Sequence, residues 1–418
     1  MEDYIPRLID DVIKQKMNLY GAVAVIGPKG CGKTTTCLRL SKSSISFQNS
    51  AKYENNKVIM ETNPSLFLNH EKPLLIDEWQ VFPQIWDAIK CDVDEIGKKG
   101  EYLLTGFSTA TKGPPWHSKT DEVLSLTMRS MSLYESGESN GCVSLKQLFE
   151  GKNDISGMSQ LEVEDYAFLI TRGGWPEAIK APKNLCFNYA RDYIHLVRNF
   201  QIEKVVDSSS KIERFLNGYA KYISTSASMD KTYAMKEYEN LESIQSACRD
   251  HSNISYRMED EFIVDDIFIW RPQFSHRFGV SPGSKREFVD PSLAMAVLGL
   301  NDKDLLKDFD TFESMFVGLC VRDLKIYAES IDGQVYFYLD NVLNCDAIIQ
   351  LDNGKWGAVG IQLGDNFDKK AKELLEFRDA VDKKAMGSPS FLMILTATKY
   401  VFKREDGILV VPLGCLKN

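Results

Sequence analysis

Gly27-Pro28-Lys29-Gly30-Cys31-Gly32-Lys33-Thr34 is the stretch on which the reading of this chain turns. It has the spacing GxxxxGK followed by Ser or Thr. Ala22-Val23-Ala24-Val25-Ile26, just before it, is a continuous apolar run, the pattern of a strand buried on both faces of a parallel sheet. Thr34–Leu40, just after it, has helical character. Glycines in a turn between strand and helix let successive backbone N–H groups curl around phosphate oxygens. The helix that follows turns its N-terminal dipole to the same charge. A chance glycine-rich turn is the alternative, and the flanking strand and helix count against it.

Two further apolar runs extend the pattern. Pro73-Leu74-Leu75-Ile76 ends in Asp77-Glu78, and Glu101-Tyr102-Leu103-Leu104-Thr105-Gly106 ends in small polar residues. Strands alternating with helical segments predict a doubly wound α/β domain whose ligand sits at the carboxyl ends of the strands. The expected ligands are ATP and Mg²⁺. Gly27, Pro28, Lys29, Gly30, Cys31, Gly32, Lys33, Thr34 and Thr35 are the expected nucleotide contacts. Lys33 would reach the β- and γ-phosphates, and Thr34 would offer its hydroxyl to the metal. Asp77 would hold Mg²⁺ through its water shell, and Glu78 would polarise the attacking water. Alone, Asp-Glu after a strand is an ordinary acidic helix start; the glycine loop upstream gives it the catalytic reading. Cys31 reads as a small spacer.

Thr105 and Ser108 both qualify as the polar residue beside the γ-phosphate, and a plain Ser/Thr-rich loop explains them equally well. Arg129 and Arg172 are candidate phosphate contacts, because a planar guanidinium meets phosphate oxygens in pairs. A salt bridge is the plainer reading of each. The expected catalytic set is Lys33, Glu78, Thr105 and Arg129.

With 418 residues the chain is long enough for two to four domains at roughly 100–200 residues each. Hydrophobic residues at 44% and charged residues at 26% describe a globular chain, not a disordered one. A net charge of −9 argues against a uniformly basic surface wrapping nucleic acid, although 50 Lys and Arg leave room for a local groove. The nine cysteines form no CxxC pair and no zinc-finger spacing, so reduced thiols and a cytoplasmic setting are expected. The acidic start Met1-Glu2-Asp3-Tyr4 lacks the apolar run of a signal peptide. No segment approaches the ~20 apolar residues of a membrane helix, so no membrane partner is expected.

The chain reads in three regions: 1–155, 156–290 and 291–418. The first is the P-loop domain. The second is helical, with amphipathic runs at Tyr189–Val206 and Ile212–Ile223. There Phe262-Ile263-Val264 and Ile267-Phe268-Ile269-Trp270 suggest a small hairpin, a combination that suits a winged-helix module. The third is α/β. A helix near Thr311–Tyr327 precedes strands at Gln334–Leu339, Cys345–Leu351 and Trp356–Leu363. Asp352-Asn353-Gly354-Lys355 makes the turn between the last two. A helix at Lys369–Lys383 and strands at Phe391–Thr396 and Ile408–Val411 complete it. Lys204, Lys211, Arg214 and Lys221 would serve either as phosphate contacts or as a solvated helix face.

Gly27–Thr34, Leu74–Glu78, Leu104-Thr105-Gly106, the segment Met128-Arg129-Ser130-Met131-Ser132-Leu133-Tyr134-Glu135-Ser136-Gly137-Glu138-Ser139, and Gly173–Pro176 together resemble a family of bacterial and archaeal ATP-binding proteins. The resemblance implies an AAA+-like ATPase domain, a helical and winged-helix middle, and a C-terminal domain with a restriction-endonuclease-like core. Two departures stand out. Where the family carries Gly-x-Gly-Arg, this chain has Lys119-Thr120-Asp121-Glu122, which removes a positive charge. Where nucleases of the C-terminal type carry Glu-x-Lys, it has Gly360-Ile361-Gln362, although Glu313 and Asp346 match the earlier acidic positions; Asp365 is near but offset. Loss of a metal-binding carboxylate and a lysine together implies an inactive nuclease-like scaffold. The expected function is an ATPase whose nucleotide state controls a DNA or RNA transaction. An ATP-switched module with a protein partner is the alternative.

Overall fold

The computed structural model describes residues 4–107, 123–204, 209–226, 252–272 and 283–418. These fall into two compact units, one built from 1–130 with 259–262 and the other from 131–258 with 263–418. The grouping differs from the three regions read in the sequence. Residues 131–155 belong to the second unit, which also takes in the last region and all of the middle one but 259–262.

In the first unit, β1 (Ala22–Ile26), β2 (Ser43–Ser46), β3 (Leu74–Asp77), β4 (Tyr102–Gly106) and β5 (Val123–Thr127) form one sheet in the order β2-β3-β4-β1-β5. Every pairing is parallel. β1, β3 and β4 are buried along their whole length, which their unbroken apolar runs require. The helix Gln84–Ile96 buries Ile85, Ile89 and Val93, spaced four apart on one face. Phe47, Phe67 and Phe82 meet edge to face at 5.2–5.3 Å between centroids and close one end of the core. The strand order turns at β1, which lies between β4 and β5. That is where an open α/β sheet leaves a crevice outside its carboxyl ends.

In the second unit a seven-stranded mixed sheet runs β10-β11-β12-β13-β15-β14-β7. Its strands are β7 (Gly157–Met158), β10 (Gly333–Leu339), β11 (Asn344–Leu351), β12 (Trp356–Gln362), β13 (Leu392–Thr396), β14 (Tyr400–Lys403) and β15 (Leu409–Pro412). The turn at 352–355 joins β11 to β12, with Gly354 at φ 84°. The helix Phe309–Glu329 packs against β10, β11 and β12, and Phe367–Ala380 against β11, β12 and β13. Two short ladders stand apart: β6 (Val143–Ser144) with β16 (Leu416–Lys417), and β8 (Ile267–Phe268) with β9 (Ser284–Lys285).

The hairpin expected within 262–270 is corrected. Ile267 and Phe268 pair with Lys285 and Ser284, and Val264 bridges to Phe288. The partner was hidden because Ser284-Lys285-Arg286-Glu287-Phe288 turns charged residues inward: Lys285 and Glu287 are buried. Glu287 Oε2 accepts from Ser224 Oγ at 3.1 Å, while Oε1 is buried with no hydrogen bond. Burial raises its carboxyl to about 8 against the pull of Lys285 and Lys325. The folded state therefore binds a proton that the unfolded chain releases near its ordinary value of about 4.5. The stability this proton gives is full below that value and is lost as pH rises through about 8. Urea midpoints for the second unit should fall between about pH 5 and about pH 9. Glu287→Gln should flatten that slope; a slope unchanged in the variant would assign the pH dependence elsewhere.

Candidate functional site

The parallel register lines up the chemistry before any side chain is considered. Ser46 pairs with Asp77, Asp77 with Thr105, and Thr105 with Val25, one residue short of the end of β1. The glycine loop leaves β1 beside this row. Gly27, Gly30 and Gly32 have φ of 153°, 77° and 105°, which side chains rarely adopt. A Cβ at Gly27 would also strike the Met128 carbonyl.

Lys33 is buried, and its ammonium donates to the carbonyls of Gly27 at 2.9 Å and Pro28 at 2.8 Å, so it lies across the loop. The Asp77 carboxylate collects three hydroxyls. Thr34 and Thr105 both donate to Oδ1 at 2.6 Å, and Ser46 donates to Oδ2 at 3.0 Å. Thr34 gives its proton to Asp77, which leaves its lone pairs for a cation. A hydroxyl backed by a carboxylate is a donor set that fits Mg²⁺.

Glu78 follows β3 in a left-handed conformation, φ 59° and ψ 48°, which is uncommon for a residue with a side chain and is typical of functional strain. Its carboxylate is buried between two amides. Gln48 Nε2 donates to Oε1 at 3.1 Å, and Gln80 Nε2 donates to Oε2. The other amide atom of Gln80, Oε1, and the Trp79 indole N–H are buried without partners. Both lie against Gly106, where a Cβ would stand 2.7 Å from the indole nitrogen.

Arg7 staples this end of the sheet. Its guanidinium donates to the carbonyls of Cys31 at 2.8 Å, Arg129 at 2.9 Å and Ser130 at 3.1 Å. Cys31 Sγ adds a contact to the Met128 carbonyl at 3.3 Å. Arg129 is itself buried, and Arg7 links it to the loop through its backbone. Lys29 and Thr35 are exposed. Ser108 and the 119–122 stretch lie outside the described residues. Arg7, Ser46, Gln48 and Gln80 had no signal in the sequence. None belongs to a spaced motif, and each acts through the register or through the turn at Glu78.

Arg172 has partners of its own. In the second unit it pairs with Glu138 at 2.5 Å and donates to the Gly173 carbonyl, so its fork is taken up by a part-buried ion pair. Trp175 is fully buried, and its indole donates to Ser292 Oγ at 3.0 Å. In the helix Ser209–Lys221, Ile212, Phe215, Leu216 and Tyr219 turn inward while Arg214 and Lys221 are exposed. The Lys204 side chain lies outside the described residues.

Asp346 on β11 is held by Lys370 Nζ at 2.6 Å and by the Ile361 N–H at 2.8 Å. Lys370 comes from the helix Phe367–Ala380, and its Cδ lies 3.5 Å from where a Cβ of Gly360 would be. The pair holds the Asp346 carboxyl below its ordinary range despite burial, and raises the Lys370 ammonium. Gln362 turns to the Asn366 carbonyl at 2.7 Å. Among the described residues no group of three or more His, Cys, Asp or Glu is arranged to hold a metal ion.

A family model described as an AAA domain matches residues 20–136. Parallel sheet, glycine loop and match agree on a P-loop NTPase domain of the ATP-binding, ATPase type in that span. Among solved structures, the Walker-type ATPase of Pyrococcus abyssi is similar over 71% of this chain and 97% of its own, at 12% identity and a TM-score of 0.42. A DNA replication initiation factor is similar over 61% and 92%, at 13% identity and 0.26. A signal transduction ATPase with numerous domains and a tetratricopeptide repeat sensor, from Pyrococcus horikoshii, is similar over 79% and 50%, at 11% identity and 0.24. No curated protein matches the sequence. Among the described residues no helix is long and apolar enough to cross a membrane.

Proposed function

We propose that this chain is a Mg²⁺-dependent ATPase and that its nucleotide state governs a nucleic-acid transaction. The observation that carries the hydrolytic reading is the row Ser46–Asp77–Thr105 with Glu78 at its edge, one strand from the glycine loop. Lys33 and the loop N–H groups would hold the phosphates, and Thr34 and Asp77 the metal. Bound Mg²⁺ would supply charge neutralisation at the transferred phosphoryl. Glu78 would take the proton of the attacking water. Thr105, fixed on Asp77, would tie β4 to that carboxylate. Arg129 would add positive charge beside the loop.

The clamp on Glu78 supports a resting state. Both carboxylate oxygens already accept amide N–H bonds, so a water must compete with Gln48 and Gln80 for them. Gln48→Ala is expected to raise hydrolysis without activator by about 2–10-fold, the worth of one hydrogen bond of about 0.5–1.5 kcal/mol. A steady-state phosphate-release assay reads this. A fall instead would mean that Gln48 holds Glu78 in its working position.

The helices Asn188–Lys204 and Ser209–Lys221 with the β8–β9 ladder support a winged-helix-like reading of the middle region. The succession of one helix, three antiparallel strands, a long and a short helix and a parallel strand from 309 to 396 supports the nuclease-like one. In that reading Lys370 fills the place beside Asp346 and leaves it inactive. ATP turnover measured with and without DNA and RNA, alongside a salt-sensitive duplex shift, tests the nucleic-acid reading. Absence of binding to duplex and single strands at low salt would sink it. The net charge of −9 favours the second reading, a protein partner, which a stoichiometric pull-down free of nucleic acid would support.

A further inference from the structure

We propose that Cys142 and Cys415 form a reversible disulfide when the protein meets a peroxide. Strands β6 and β16 run parallel, with Val143 opposite Leu416 and Ser144 opposite Lys417. Cys142 and Cys415 are the residues just before these paired strands, Cys415 closing the short 3-10 turn Leu413–Cys415. Neighbouring strands lie about 4.8 Å apart, within the Cα separation that a disulfide spans. Cys142 lies close enough to Cys415 to act on its thiol.

Their surroundings fix them there. Asn140 N donates to the Gly414 carbonyl at 3.0 Å, and Ser139 Oγ donates to the Leu416 carbonyl at 2.7 Å. Cys142 N donates to Asn140 Oδ1 at 3.1 Å, and Asn140 Nδ2 to the Met158 carbonyl at 2.8 Å. Gly157 packs so closely on Cys142 Sγ that a Cβ there would collide with it.

The pair is asymmetric. Cys142 is exposed and Cys415 is buried. Burial and the neighbouring thiol push Cys415 up to about 12, which keeps it protonated. Cys142 is the sulfur a peroxide can reach. Its thiolate attacks one peroxide oxygen, the O–O bond breaks, and the leaving oxygen takes a proton. Cys142 becomes a sulfenic acid. The Cys415 sulfur then attacks the Cys142 sulfur, the S–O bond breaks, and water leaves with the Cys415 proton. Two thiols are oxidised, one peroxide is reduced to an alcohol or water, and a second water is released. The bond would fasten β16 to β6 within the second unit.

The purified full chain is exposed to hydrogen peroxide, its remaining thiols are blocked by an alkylating agent, and it is digested without reductant. The expected product is one peptide pair joined through Cys142 and Cys415, two hydrogens lighter than its parts and separated by dithiothreitol. The oxidised chain should also unfold at a higher temperature than the reduced one. In Cys142→Ser, Cys415 should stay an unmodified thiol; in Cys415→Ser, Cys142 should proceed to the sulfinic acid. Parent protein in which Cys142 reaches the sulfinic acid with Cys415 still reduced, or bonds to another cysteine, overturns the proposal. So does a parent in which neither sulfur reacts.

Discussion

Glu78→Gln is expected to bind ATP as the parent does and to hydrolyse it about 10²–10⁴-fold more slowly, the usual worth of a positioned general base. The substitution keeps the shape of the side chain and its reach towards Gln48 and Gln80, but it cannot take a proton from water. Binding should survive because Glu78 lies off the loop that would hold the phosphates, at the exit of β3. Lys33→Ala is the complement. It removes the ammonium that lies across the Gly27 and Pro28 carbonyls, so affinity itself should fall. Nucleotide affinity by calorimetry and single-turnover phosphate release separate the two effects. Two variants that hydrolyse ATP like the parent would remove the site from consideration.

Arg322→Met is expected to cost the second unit about 3–5 kcal/mol, the penalty for stranding a buried charge partner. Arg322 is 2% exposed on the helix Phe309–Glu329. It donates to Asp290 Oδ2 at 3.0 Å, and to Asp323 Oδ1 at 2.9 Å and 2.7 Å. The same carboxylates hold backbone from elsewhere. Asp290 receives the N–H of Gly174 at 2.9 Å and of Ser292 at 3.0 Å, and Asp323 receives that of Leu133 at 3.0 Å. Removing the guanidinium leaves two buried acids without their cation and loosens three chain segments together. Denaturant unfolding of the second unit reads the loss, and a loss below about 1 kcal/mol would place the network among those that merely offset their own desolvation.

The sequence was most readable where a pattern is local. β1, β3 and β4 declare themselves as apolar runs because both their faces are covered. β11 and β12 are marked as two runs joined by Asn353-Gly354. Position in the sheet was not local. β2 is Ser43-Ser44-Ile45-Ser46, a short edge strand with three serines, and it supplies Ser46 only through its register with Asp77. β7 and β14 reach the far edge of the second sheet by pairing with each other, Tyr400 opposite Met158, a match that neither segment announces. The glycine loop and the Asp-Glu pair stand out by spacing. Gln48 and Gln80 do not, because what brings them to Glu78 is a single left-handed residue. Lys370 was missed beside Asp346 because it arrives from a helix and not from the strand.

The Arg7 staple bears on how this chain would vary among its descendants. The three bonds from its guanidinium to Cys31, Arg129 and Ser130 end on carbonyl oxygens, and every residue type offers the same oxygen. Arg7 therefore asks nothing of the side chains at positions 31, 129 and 130, whatever else holds them. Arg7 has no such latitude, since no other side chain carries five donors in a rigid fork. An arginine some twenty residues ahead of the glycine loop is the part of this staple that a distant copy of the arrangement would have to keep.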